Sequence, residues 1–402
     1  MSDIKRFLNT PDAKMLKLYQ VLMWVLFALI FVFGIIIDLG YYRRGEYVEL
    51  PLPLMLIGYA LIIQPFANFL AVTLATFFSG IASRTAYLQA GIIAYINDGV
   101  KKRVRLNYYF LCIIAAPVVI HRYNIYDDAS FIAERKILVR FELWLLIIYP
   151  ILGVVFTVLN LFFGKGLWGT FFNMMTINCA VWTLVQSFLN GKSDTTAKNY
   201  LRAKFDDLFM IANLNGTTSF ATKFKFDPEP VRAYKINGIC KELGNPAVDP
   251  DSRLAMCTVD EVFVEYVKQG RTDFPKIIAD YLEYYYTNGD RLFCGKTCTQ
   301  ICYIWKCVLY YLALTGRREA AVNEYNKRAT YMLPSGKYSQ FINGSLRYIL
   351  FNEDYSLWLL DRKNMYPEYA LFFLVKYFEI PYINEAQFII ELHKLIWEKQ
   401  VS

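Results

Sequence analysis

Gln64, Pro65 and Asn68 lie within IIQPFANFLA, residues 62–71, in the middle of a hydrophobic run. Positions 64 and 68 are one helical turn apart, so their amides share a face. Amides so placed bond to neighbouring helices, for about 1 kcal/mol or less, and a proline beside them is a tolerated kink. The chain has two histidines, His121 and His393, neither with a second ligand one turn away, and both are expected to pack or face solvent. Cys294, Cys298 and Cys302 recur every fourth residue, with Cys307 beyond them. On a helix that makes a packing stripe; a metal site would want C-x-x-C pairs, which the stripe lacks. Asp194, Asp206 and Asp207 are the carboxylates open to an unrecognised enzyme chemistry. Neither a phosphate-binding loop nor a dinucleotide fingerprint occurs. Amides bind zinc poorly beside imidazole, thiolate or carboxylate, and Pro65 cannot act as a base. No metal site, catalytic residue or cofactor is therefore expected.

The elements that must hold these residues follow from composition. The 402 residues are 56% hydrophobic and 17% aromatic, too apolar for an ordinary soluble protein. The formal charge of +8 is modest, and its distribution reports topology and not nucleic acid binding. Four runs, roughly 16–39, 52–79, 142–163 and 167–189, reach the ~20 residues needed to cross a bilayer. Lys5, Arg6, Lys14 and Lys17 precede the first run. Lys101, Lys102, Arg103 and Arg105 lie between the second and third, and Lys192, Lys198, Arg202 and Lys204 follow the fourth. The positive-inside rule places those segments and the C-terminal half in the cytoplasm of a multi-pass protein of the cell membrane. Arg43 and Arg44 in the first outer link run against that rule, offset by Glu46 and Glu49. The first run is too long for the apolar core of a secretory signal.

Residues 103–123, RVRLNYYFLCIIAAPVVIHRY, are rich in β-branched and aromatic residues and broken by Pro117. Its apolar centre of about 14 residues is too short to span, and the stretch is expected as one or two strands, or a re-entrant segment, at the cytoplasmic membrane surface. The basic group at 101–105 can serve both as topology anchor and as a contact for anionic lipid headgroups, at about 1 kcal/mol per charge.

From residue 195 to 402 the spacing predicts a cytoplasmic domain of ordinary helices, many ending in Gly or Asn-Gly. Residues 226–251, with four prolines and two glycines, predict a loop-rich connector with at most a short helix. The apolar run 301–314 contains Lys306 and is expected as a buried helix of that domain. The fold class is thus mainly α: a transmembrane domain over 1–194 with a small β-region, then a domain of helical hairpins resembling a short solenoid.

IIQPFANFLAVTL has the frame of I-I-H-E-x-G-H-F-x-A-x-x-L. It resembles the motif span of site-2-protease-type intramembrane zinc metalloproteases. In active members two histidines one turn apart bind zinc and the Glu activates water. Here Gln64, Pro65 and Asn68 occupy those three positions. FLNGKSDTTAKNYLRAKFDDLFMIANLNG, at the end of the fourth run, resembles the stretch that gives the third zinc ligand in a Gram-positive branch of the family. Asp194 matches that ligand, with Thr195 in place of the family's Gly. The resemblance implies that 103–123 corresponds to a membrane-associated β-region that takes substrate as an added strand, and that YMLPSGKYSQFINGSLRYILFNEDYSLW belongs to the branch's helical tail.

The resemblance implies a catalytically inactive protein that binds a small peptide or a transmembrane segment, in peptide processing, export or immunity. Gln64, Asn68 and Asp194 are the residues it points to. The alternative is a membrane subunit of a transport assembly, its helical domain docking a partner ATPase. Membrane lipids are partners on both readings, and nucleic acid on neither.

Overall fold

The computed structural model describes residues 7–46, 50–90, 93–97, 102–106, 118–121, 125–189, 195–215, 229–294, 299–333, 337–354 and 380–398. The chain is mainly helical and divides into two compact units, Met1–Thr222 and Lys223–Ser402. The expected boundary at 194/195 falls inside the first unit, because helix Thr196–Phe205 packs there.

Three helices of the first unit are long and apolar enough to cross a membrane: Pro11–Arg43, Leu52–Ser79 and Asp128–Phe163. The first, α1 (Pro11–Arg43), starts where Thr10 Oγ1 accepts from the amide of Ala13 at 3.3 Å, with Pro11 in the first turn. Its 33 residues make about 50 Å at 1.5 Å per residue, more than a hydrocarbon core of about 30 Å. Of these residues only Ala13, Leu16, Phe27, Ile30 and Tyr41 are buried, while Leu18, Val25, Phe31, Phe33 and Ile36 stay exposed. Such a surface is compatible with a lipid surround.

The second long helix is composite: α2 (Leu52–Gly58), a π-helical turn at Tyr59–Ile63, and α3 (Gln64–Ser79), closed by Gly80 in the left-handed region (φ +79°). The third, α4 (Asp128–Phe163), begins at a capping box: Asp127 accepts from the amide of Ser130 at 2.8 Å, and Ser130 Oγ accepts from the amide of Asp127 at 3.1 Å. It thus starts 14 residues before the expected span at 142, because its first turns carry Glu134, Arg135, Lys136 and Arg140, which hydropathy discards. α5 (Leu167–Ser187) runs back along α4, and α6 (Thr196–Phe205) packs on α4 and α5. Ala13, Leu16, Leu146, Leu189, Ala197, Tyr200 and Leu201 form a core where α1, α4 and α6 meet.

Between α3 and α4 lies a four-stranded antiparallel sheet of β1 (Thr85–Ala90), β2 (Ile93–Asn97), β3 (Lys102–Leu106) and β4 (Val118–His121), in the order β3-β2-β1-β4. β3 and β4 lie within or beside the stretch expected to form strands. β1 and β2, which pair Tyr87 with Ile96 and Leu88 with Tyr95, lie upstream of it. Residues 107–117 are outside the described set.

The second unit is built around helix Thr299–Leu314, enclosed by helices Arg253–Lys268, Lys276–Thr287, Arg318–Met332, Lys337–Phe351 and Ile380–Trp397. Every residue from Cys302 to Ala313 is buried, so the apolar run 301–314 is the centre of this unit. A helix apolar all round is buried all round. The expected loop-rich connector is corrected. Helix Glu229–Leu243 occupies 15 of those residues, with Pro230 in its first turn, where a missing N–H costs nothing. Residues 355–379 lie outside the described residues.

Candidate functional site

Pro65 explains the local backbone. It has no N–H for the carbonyl four residues earlier, and its ring crowds that carbonyl. The π-helical turn just before it absorbs the misfit, the amide of Gln64 donating five residues back to the Tyr59 carbonyl. Wide turns of this kind recur at functional sites. Asn68, one turn on, is 3% exposed, and its Oδ1 accepts from the Tyr149 hydroxyl of α4 at 2.9 Å. Tyr149 stacks in turn on Trp182 of α5, ring centres 6.3 Å apart. Gln64 is half-buried. The Tyr59 hydroxyl donates to Asn178 Oδ1 of α5 at 2.9 Å. The two amides predicted to share a face thus sit on a helix that is tied by tyrosines to α4 and α5.

The same accounting governs Pro150, the proline inside the third long apolar helix. Pro150 within α4 leaves the Leu146 carbonyl without its helical donor, and the Tyr19 hydroxyl of α1 donates to it. At the far end of α1, the Tyr41 hydroxyl donates to the Asn160 and Leu161 carbonyls at 3.2 and 2.9 Å. Tyrosine is the common partner because one O–H on an apolar ring can satisfy a carbonyl inside an apolar bundle. Spacing at 64 and 68 did not reveal Tyr149 or Tyr59. The signal available was a tyrosine beside Pro150 in IIYPIL and one in the same span as Gln64.

Asp194 and Lys101 lie outside the described residues, as does the Arg105 side chain. Lys102, Arg103 and Val104 are exposed on β3, which ends the order of described strands; Val104 is 71% exposed. His121 pairs with Thr85 across β4 and β1 in the first unit. His393, in the second, stacks on Tyr348 with ring centres 4.0 Å apart, and its Nε2 is 2.7 Å from Asn352 Oδ1. Asp207 forms an ion pair with Arg135 of α4, and Asp206 Oδ1 accepts from the amide of Phe209 at 3.1 Å, so both serve the ends of short helices.

The expected cysteine stripe is corrected: helix Thr299–Leu314 starts after Cys294, which is exposed, and Cys302 and Cys307 are buried. Cys302 Sγ donates to the Met332 carbonyl at 3.0 Å and Cys307 Sγ to Asp260 Oδ1 at 2.6 Å, while exposed Cys294 turns to the Arg291 carbonyl at 3.0 Å. Cys298 is outside the described residues. Among the described residues, no three His, Cys, Asp or Glu side chains gather as a metal ion requires. No known protein family, curated protein or solved structure matches the chain.

Proposed function

We propose that this chain is a catalytically inactive relative of the site-2-protease-type membrane proteins that binds a small peptide or a transmembrane segment in the membrane. The first unit crosses the bilayer four times, with α5 as the fourth span. The N-terminus and second unit are cytoplasmic, and the sheet lies at the cytoplasmic surface. Lys102 and Arg103 are placed there to meet anionic headgroups. The cations of the opposite links are paired: Glu46 Oε1 is 3.1 Å from Lys165 Nζ, and Glu46 Oε2 is 3.1 Å from Arg44 Nε. Lys165 and then Arg44 hold the Glu46 carboxyl below its ordinary range.

The observation that carries the binding reading is the position of β3. It ends the described strand order, presents exposed Val104, and belongs to a sheet that follows directly on the Gln64–Ser79 helix. A strand edge offers main-chain donors and acceptors to an extended peptide. Gln64 offers an amide to a segment bound against the wide turn.

A photo-reactive phenylalanine analogue placed at position 64, and separately at 104, tests the reading in intact membranes. Peptide adducts at both positions are expected. Absence of a peptide adduct at both positions contradicts it. Elemental analysis of the purified chain is expected to find no stoichiometric zinc, and one zinc per chain would contradict the inactive assignment.

A further inference from the structure

The long helices of the first unit carry carboxylates, and most of them are answered. Asn173 Nδ2 donates to both oxygens of Asp38 at 2.7 Å, and Asn160 Nδ2 donates to Asn173 Oδ1 at 2.9 Å. Near the start of α4, Arg84 Nε donates to Glu134 Oε1 at 2.8 Å, and Arg135 pairs with Asp207. Glu142, two turns further along α4, is different. Among the described residues, no group donates to it and no cation pairs with it. It is half-buried, while Leu138 and Leu146, one turn to either side, are buried. Glu142 stands two turns before Tyr149 and shares its face of α4, the face that meets Asn68. A carboxylate on the inner face of a membrane span marks a functional site by default, with a partner to be named.

The second observation lies on the facing helix. α3 and α4 run antiparallel: Asn68 meets Tyr149, Phe78 stacks on Trp144 with ring centres 5.0 Å apart, and Arg84 meets Glu134. Thr76 stands two turns beyond Asn68 on α3, as Glu142 stands two turns before Tyr149 on α4, so the two lie at one level. Thr76 is 7% exposed, and its Oγ1 has no hydrogen-bond partner. A buried hydroxyl left unpaired is costly. One level of the bundle thus holds a carboxylate without a counter-charge and a hydroxyl without a partner. An ammonium or guanidinium answers both, because it brings a positive charge and several N–H donors.

α3 leads from Gln64 towards the sheet, and the level of Thr76 and Glu142 falls between them. A segment that touches both the wide turn and the β3 edge passes that level. We propose that the segment bound in the membrane carries a basic side chain, Lys or Arg, and that Glu142 pairs with it while Thr76 accepts a further N–H. The inference rests on the peptide-binding reading and adds the charge of the ligand. A cation on an apolar segment is costly in lipid. A segment so marked therefore gains from Glu142 what a uniformly apolar one does not, which is a means of selection.

The test uses the full chain in lipid nanodiscs with the photo-reactive analogue at position 64. The probes are synthetic leucine–alanine helices of about 20 residues, with lysine, norleucine or glutamate at one central position. Capture of the lysine helix is expected to exceed that of the norleucine helix by about tenfold, the low end for close charge pairs. Glu142→Gln is expected to remove the preference. Carbodiimide activation of the chain with Glu142 intact is expected to join the lysine helix to Glu142, as located by mass spectrometry, and this readout stands where Glu142→Gln does not fold. Equal capture of the lysine and norleucine helices overturns the proposal and leaves peptide binding intact. So does a preference that survives Glu142→Gln, or coupling confined to other carboxylates. Capture of none of the three helices defeats the peptide-binding reading, and this inference with it.

Discussion

The two units solve one problem in opposite ways. In the first, the long helices turn apolar side chains outward and keep their polar atoms inside. Val25, Phe31, Phe33 and Ile36 of α1 are exposed, whereas Asn68, Asn160 and Asn178 are buried. In the second, the most apolar helix, Thr299–Leu314, is the most enclosed and carries one buried cation, Lys306, while several ion pairs lie outside it. Asp251 meets Arg291 there, Glu283 meets Arg317, and Asp290 meets Lys327 and Arg328. In both units, backbone carbonyls left open by a helix break or a helix end take a hydroxyl donor. What changes is the solvent the surface is built for, and with it the role of tyrosine. In the first unit Tyr19, Tyr41, Tyr59 and Tyr149 serve carbonyls and amides across helices. In the second, Tyr281 and Tyr285 donate to the Leu243 and Pro250 carbonyls at 3.1 and 2.9 Å, at the end of helix Glu229–Leu243 and in the segment after it.

The comparison can be broken most severely at the second unit's centre. Trp305 is fully buried, so Trp305→Ala should cost about 3–5 kcal/mol. Loss of the second unit's protease resistance while α1 stays protected would show that the two cores are separate. In the first unit the matching perturbation adds volume. A Cβ on Gly153 would lie 3.0 Å from Phe27 Cε1 and 3.5 Å from Cys179 Cβ. Gly153→Leu should therefore force α1, α4 and α5 apart, at about 1–3 kcal/mol, read as a lower Tm in detergent.

A smaller effect is expected at the tyrosine tie. Tyr149→Phe leaves Asn68 Oδ1 without its donor, and ties of this kind are worth about 0.6 kcal/mol, at most about 1.7. Asn68→Leu in the same background should recover part of the loss, since the amide would no longer be stranded.

The smallest effect is electrostatic. The Arg291 guanidinium first, with the Tyr284 hydroxyl, outweighs the opposing effect of burial and sets the Asp251 carboxyl below its ordinary range. A depressed carboxylate contributes stability that is present above its unfolded value, about 3.9, and is lost as pH falls through the folded value. Asp251→Asn should therefore matter at pH 7 and make no difference in strong acid. Arg291 is 54% exposed, which limits the effect to within about 1 kcal/mol.

Much of this division was legible from residue types. Hydropathy marked the three long helices, and Lys306 together with a run of about 14 residues marked 301–314 as internal to the second unit. Charge hid the first turns of α4, although Asp127 and Ser130 at capping spacing were visible. TAYLQA and IAYIN were missed because each strand is short and lies between a span and a basic loop. The meeting of Asp38, Asn160 and Asn173 was illegible, because the residues are 122 and 13 positions apart and only helix packing unites them. Asn68 was singled out from spacing, but its partner Tyr149 is 81 residues away.

The central claim is that the first unit's exposed apolar helices face lipid while the second unit faces water. Labelling with a membrane-impermeant maleimide tests it directly in permeabilised membranes that retain their bilayer. Cys294, exposed in the second unit, supplies the internal standard. A cysteine placed at Phe33, 58% exposed on α1, should stay unlabelled while Cys294 reacts to completion. Labelling at position 33 as fast as at Cys294 would show that α1 stands in water and would contradict the account.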